Sequence, residues 1–162
     1  MAEAVCDTSP LQYLHQIRLL HLLPSLAART VIPPAVEKEL LAGKAQGIDL
    51  PDLRALDWLS VRHPVSRPAV PLVRDLGPGE TEVLMLGLEA PSSVLVLDDA
   101  LARRVAKTLG IPFTGTLGLL LDAKRVGLIS SVAPLLDQLQ DLRFRLSSGA
   151  RSAVLRLAEE EG

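Results

Sequence analysis

The chain has 162 residues, enough for one domain with a sizeable core, and 48% of them are apolar, which excludes intrinsic disorder. Its single cysteine, Cys6, excludes an internal disulfide, and its aromatic content of 2% leaves the core to Leu, Val and Ala. A net charge of −2 excludes any global attraction to nucleic acid, so chemistry on a nucleic acid would need bound cations and a local basic patch.

In chain order, Ala2–Cys6 reads as a short buried strand with the polar Glu3 inside it. Thr8–Ser9–Pro10 offers a helix cap with proline early in the first turn, and Leu11, Leu14, Ile17 and Arg18 follow at helical spacing. Leu19–Leu26 predicts a second short helix limited by Pro24; Thr30–Ile32 predicts a strand, Pro33–Gly43 a helix and Trp58–Arg62 an edge strand. Four prolines, Pro64, Pro68, Pro71 and Pro78, mark His63–Gly79 as irregular and the most mobile part of the chain.

From Glu80 the pattern becomes regular: helix 80–90, strand 93–97, helix 99–109, strand 111–114 and helix 116–126. Val132–Leu142 and Ser152–Glu160 predict further helices, with Phe144–Leu146 a late strand between them. Alternating strands and helices, with strands that are continuously apolar, predict an α/β fold whose central, mainly parallel sheet is covered on both faces. The predicted organisation is one domain over 1–146, with a C-terminal helix in 147–162 packed on it. No run approaches the roughly 18 apolar residues of a membrane span. The N-terminus lacks a basic stretch followed by a long apolar one, so a cytoplasmic protein without a signal peptide is expected.

The apolar runs end in carboxylates. Ala2–Cys6 stops at Asp7 and Val94–Leu97 stops at Asp98–Asp99; Glu80 opens a helix after a glycine turn, and Glu39 lies in the helix Pro33–Gly43. Each acid alone has an ordinary explanation as a helix cap or a first-turn charge. Together they differ, because a doubly wound sheet gathers the carboxyl ends of its strands in one crevice. Acids crowded there raise one another's pKa unless a hard divalent cation, Mg²⁺ or Mn²⁺, accompanies them. Within helix 33–43 a helical wheel favours Glu37 over Glu39, since Glu37 lies nearer the face of Val36, Leu40 and Leu41.

The segments AVCDTSPL, VIPPAVEKELL, LGPGETEVLMLGLE and VLVLDDALARRVAKTLGIPFTGTLGLLLDAKRVGLI, in this order, resemble PIN-domain proteins, and in particular a VapC-like branch. The resemblance runs from about Asp7 to Ser131 and is most specific over Val94–Leu121. It implies a three-layer α/β/α domain and a metal-dependent endoribonuclease, of the kind found as the toxin of a toxin–antitoxin pair. It also implies an RNA substrate, a cognate antitoxin and a homodimer.

Carried over by position, Asp7, Glu39, Glu80, Asp98 and Asp99 are the expected catalytic acids, with Asp7, Glu80 and Asp99 holding Mg²⁺ or Mn²⁺. The resemblance thus favours Glu39 over Glu37, against the wheel. Where the branch carries GEGEAEA, this chain has GPGETEV, which keeps Glu80 but lowers the local charge.

Thr8, Ser9 and Thr116 are candidate accessory residues, able to hydrogen-bond a carboxylate or phosphate. Arg103, Arg104 and Lys107 share one side of helix 99–109, opposite Leu101, Val105 and Leu109, and are candidate RNA contacts. Cys6 lies in an apolar strand, and His15, His21 and His63 show no metal-ligand spacing. The rival from another class is a PIN-like module that binds RNA or protein without cutting.

Overall fold

The computed structural model describes residues 1–65 and 74–160. Among them five strands form one parallel sheet in the order β3-β2-β1-β4-β5: β1 (Glu3–Cys6), β2 (Arg29–Ile32), β3 (Leu59–Val61), β4 (Ser93–Val96) and β5 (Phe113–Thr114). All four pairings are parallel, with Ala4 opposite Thr30 on one side of β1 and opposite Val94 on the other. Successive strand residues point to opposite faces, so the complete burial of Ala4, Val5 and Cys6 shows that β1 is covered on both.

The helices are α1 (Thr8–Gln16), α2 (Leu22–Leu26), α3 (Pro34–Ala45), α4 (Pro78–Glu89), α5 (Ala100–Thr108), α6 (Thr116–Arg125), α7 (Ala133–Asp141) and α8 (Ser148–Leu157), with a 3₁₀ turn at Leu53–Ala55. The core is aliphatic, as composition requires: Leu11, Leu14, Ile32, Leu84, Leu86, Leu95, Leu119 and Leu120 are all fully enclosed. No helix among the described residues is long and apolar enough to cross a membrane. Val154 and Ala158 reach into the same core, and Glu160 pairs with Lys124 of α6 at 2.9 Å while accepting from the backbone N–H of Val132 and Ala133 at the start of α7.

Several expectations are corrected. Asp7, not Thr8 or Ser9, is the N-cap of α1, and its Oδ1 accepts from the Thr8 N–H at 2.8 Å. Pro24 lies within α2 rather than ending it. Phe144–Leu146 is not a strand, because α7 ends in a Schellman turn: the Arg143 N–H donates to Gln140 O at 3.0 Å and the Phe144 N–H to Leu139 O at 2.9 Å. That turn places Arg143 at φ 66°, left-handed for a non-glycine residue, and reverses the chain before a strand can begin. On α5 it is Ala102 and Ala106 that face the core, while Leu109 is exposed, so the expected apolar side of that helix was rotated. The predicted irregularity of 63–79 concerns in large part residues 66–73, which lie outside the described residues; α4 already begins at Pro78.

Strand order reverses between β1 and β4: β2 and β3 continue on one side, β5 on the other. Such a switch point opens a crevice at the carboxyl ends of the strands, where ligands of open α/β sheets bind. Asp7 and Asp98 follow the two strands that border it.

Candidate active site

Asp7 extends β1 by one residue, its N–H donating to Val96 O at 2.9 Å, and this ladder bond holds its carboxylate at the crevice floor. The side chain is only 3% exposed and has no basic partner. Burial, the nearby Glu80 charge, and the charges of Glu39 and Asp98 push its pKa up from 3.8 to about 7, against the Thr8 N–H bond that favours the ionised form. Asp7 is therefore a carboxylate kept in an environment that resists its charge.

Glu39 and Glu80 reach the crevice through an exchange between α3 and α4. The Glu39 Oε1 accepts from the Gly79 N–H at the start of α4 at 3.1 Å, and the Glu82 Oε2 of α4 accepts from the Ala35 N–H at the start of α3 at 2.6 Å. Neither helix has a side-chain cap of its own, so each satisfies the other's free amides. A Cβ on Gly79 would lie 2.8 Å from both Glu39 carboxyl oxygens, which is why a glycine stands there. The second Glu39 oxygen accepts from the Thr8 hydroxyl at 2.5 Å, tying α3 to the end of β1. Glu80, next to Gly79, turns its carboxylate back over Gly77, where an added Cβ would come within 2.5 Å of Oε2.

These bonds settle the placement of Glu39 against Glu37, and the wheel argument failed for a specific reason. It counted Leu41 as buried, whereas Leu41 is 55% exposed. Without it the buried stripe centres between Val36 and Leu40, and at 100° per residue the two glutamates flank it about equally, roughly 80° to either side.

Asp98 is held from β5 and α6. The Thr116 N–H donates to its Oδ1 at 2.8 Å and the Thr116 hydroxyl to its Oδ2 at 2.7 Å, while the Ser9 hydroxyl lies 3.5 Å from Oδ2. Asp99 is the exposed N-cap of α5, accepting from the Ala102 N–H at 2.9 Å. Both acids line the crevice, but it is the charge of Asp98 that acts on Asp7. The accessory expectation for Thr116 thus has a geometric counterpart, and Thr8 meets Glu39 rather than an empty site.

The crevice is a cleft of about 530 Å³ whose floor is Asp7, Glu80, Asp98 and Asp99 and whose walls carry Arg103, Tyr13, Leu117 and the loop residues Arg143 and Arg145. Of the three expected basic contacts only Arg103 lines it; Arg104 and Lys107 are exposed outside it. The loop arginines went unnoticed in the sequence, because a segment taken for a strand gave no reason to look there. Cys6 is fully buried, with burial pushing its thiol pKa upward, and has no route to the cleft as a nucleophile. His15 and His21 border a separate surface cavity, where His15 Nε2 lies 3.0 Å from Asp49.

A doubly wound parallel α/β domain with carboxylates gathered at its switch point is the class that these observations define. The chain belongs to the PIN-domain family: the family model described as DUF3368, PIN domain, matches residues 3–160. Among solved structures it is similar in fold to a PilT N-terminus domain protein of the hyperthermophilic archaeon Sulfolobus solfataricus, with a TM-score of 0.51, 24% identity, and coverage of 75% of this chain and 92% of that one. No curated protein matches the chain.

Proposed function

We propose that this protein is a Mg²⁺- or Mn²⁺-dependent endoribonuclease, acting in the cytoplasm as the toxin of a VapC-like pair, silenced by a cognate antitoxin and active as a homodimer. The observation that carries the nuclease reading is Asp7: a carboxylate 3% exposed, without a basic partner, beside Glu80, Glu39 and Asp98. A helix cap needs a carboxylate but not a buried one among like charges, so capping alone does not account for it.

The donor set suits a hard cation, being all carboxylate oxygen from four different elements. Asp7, Glu80 and Asp98 would hold the ion, with Glu39 fixing the start of α4 behind Glu80 and Asp99 at the rim. When bound, the ion supplies charge stabilisation to the phosphodiester under attack and lowers the pKa of water. The chain's own part is positioning. Thr116 fixes both oxygens of Asp98, the β1 ladder fixes Asp7, and the α3–α4 exchange fixes Glu80; Arg103 stands on the cleft wall for a phosphate oxygen. No protein nucleophile is needed.

One observation favours a second reading, a PIN-fold module that binds without cutting: among the described residues, no three His, Cys, Asp or Glu side chains are grouped closely enough to hold a metal ion as they stand. Cleavage of a labelled structured RNA separates the two. With Mn²⁺ the protein is expected to cut, and EDTA, Asp7→Asn or Asp98→Asn are each expected to reduce the rate by at least about 100-fold. RNA that binds but stays intact under all conditions supports the non-cutting module instead.

A further inference from the structure

The loop between α7 and α8 carries two arginines into the cleft on either side of a buried ring, and this arrangement has no part in holding acids. Phe144 packs its ring edge-to-face on Tyr13, with centroids 5.0 Å apart, and also touches the core cluster. The Schellman turn before it fixes the direction of entry. Arg143 and Arg145, its exposed neighbours, both line the cleft. Neither has an ion-pair or hydrogen-bond partner for its side chain among the described residues, although four carboxylates line the same cleft.

Deeper in, Arg103 lies with its guanidinium 5.2 Å from the Phe113 ring centre. One of its terminal nitrogens is 3.1 Å from where a Cβ on Gly115 would stand, and its Nε–H is buried without an acceptor. A buried donor lacking a partner is costly unless a ligand supplies one. Three guanidiniums uncommitted to the acids beside them form a track for a polyanion, in a chain whose net charge of −2 gives no other attraction to one.

We propose that Arg143 and Arg145 are the substrate grip of this protein: they hold two backbone phosphates of a single RNA strand at the cleft mouth, while Arg103 takes the phosphate presented to the acids. The assignment rests on the nuclease reading above for the identity of the strand. A single strand follows from the site's shape, since a 530 Å³ cleft with its acids at the floor admits one backbone and not the width of a duplex. Phe144 is a positioning residue, which holds the loop so that its two neighbours point to the strand rather than to solvent.

The test is binding, kept apart from cutting. A fluorescein-labelled 12-nucleotide RNA of about random sequence is titrated with the full chain carrying Asp7→Asn, in EDTA, at salt from about 50 to 200 mM. Adding Arg143→Gln and Arg145→Gln together is expected to weaken binding about tenfold at the lower salt and to reduce the salt slope by about two. Arg104→Gln, an exposed arginine of α5 outside the cleft, is expected to change binding less than about twofold. Phe144→Leu is expected to weaken binding severalfold with the slope reduced by less than about one.

Arg143→Gly gives a readout that a structural role would not move in this direction. At φ 66° glycine is the better backbone residue, so the variant is expected to melt higher while binding RNA more weakly. Unchanged affinity and slope in the double variant, or an equal loss in Arg104→Gln, would overturn the proposal. So would failure of the parent to bind the RNA at all. Failure of the nuclease reading alone looks different: RNA bound through the loop arginines but left intact by the unsubstituted protein with Mn²⁺.

Discussion

The two ends of β1 carry one buried carboxylate each, and the protein treats them in opposite ways. Glu3 is 4% exposed and is gripped by Arg62 through two bonds of 2.7 and 2.8 Å, with Arg29 at 3.6 Å. Its hydrogen bonds to Arg62 outweigh the cost of burial and hold its pKa below the ordinary carboxylate value. Asp7, four residues on and 3% exposed, has acids for neighbours and a pKa pushed to about 7. The same strand thus ends in a neutralised charge at its amino end and an uncompensated one at its carboxyl end. Burial explains neither alone. The contrast shows that the fold has arginines to offer a buried acid and withholds them at the switch point, which is how a stable scaffold carries an unstable site.

The largest effect should come from breaking the compensated end. Arg62→Met leaves Glu3 buried and unpaired, and is expected to cost about 3 kcal/mol, a loss readable in urea unfolding. Because the Glu3 pKa is lowered in the folded state, the pair's contribution is present above the ordinary value of 4.5 and fades as pH falls, so the variant and the wild type should converge in acid.

At the other end the sign reverses. The Asp7 pKa is raised from 3.8 to about 7, so the folded state keeps its proton where the unfolded chain has lost it. Stability is then greatest below about pH 4 as far as this group is concerned, and declines as pH rises to 7. A shift of about three units corresponds to at most about 4 kcal/mol. Asp7→Asn keeps the cap on Thr8 and removes the charge, and in EDTA at pH 8 it should stabilise the protein by about 2 kcal/mol, an advantage that shrinks towards pH 4. A destabilised variant at pH 8 would mean that the acid is compensated by something other than a cation.

Smaller effects sharpen the comparison. Gly79→Ala drives a methyl into the Glu39 carboxylate and should cost about 1–2 kcal/mol in thermal or urea unfolding while also lowering cleavage, because it displaces Glu80 with the start of α4. Thr116→Val removes one of two bonds to Asp98 at constant volume and should cost about 1 kcal/mol of stability, with a larger proportional loss of cleavage.

Much of the scaffold was legible because it depends on local patterns. The apolar runs at Ala2–Cys6, Thr30–Ile32 and 93–97 became β1, β2 and β4 nearly to the residue, and Trp58–Arg62 contains the edge strand β3. The late strand at Phe144–Leu146 failed because β propensity of one aromatic and its neighbours was overruled by a helix C-cap, formed without the glycine that usually announces it.

The site was half legible. Asp7, Glu80, Asp98 and Asp99 do line one cleft, with Glu39 just behind, since chain order and strand ends dictate that much. Which of Asp98 and Asp99 faces Asp7 could not be read from adjacent identical residues; it depends on Thr116 arriving from β5. The Glu39–Gly79 and Glu82–Ala35 exchange joins residues some 40 or more apart, with no periodicity to signal it.

The most direct measurement is a calorimetric titration of Mn²⁺ into the protein at pH 6.5 and pH 8.5, each in two buffers of different ionisation enthalpy. If the acids around Asp7 hold a divalent cation, binding must expel the proton that Asp7 keeps up to about pH 7. The expected result is release of most of one proton per site at pH 6.5, almost none at pH 8.5, and loss of this release in Asp7→Asn. Binding heats that are absent, or that are the same for wild type and Asp7→Asn, would contradict the claim that the uncompensated end of β1 is a metal site.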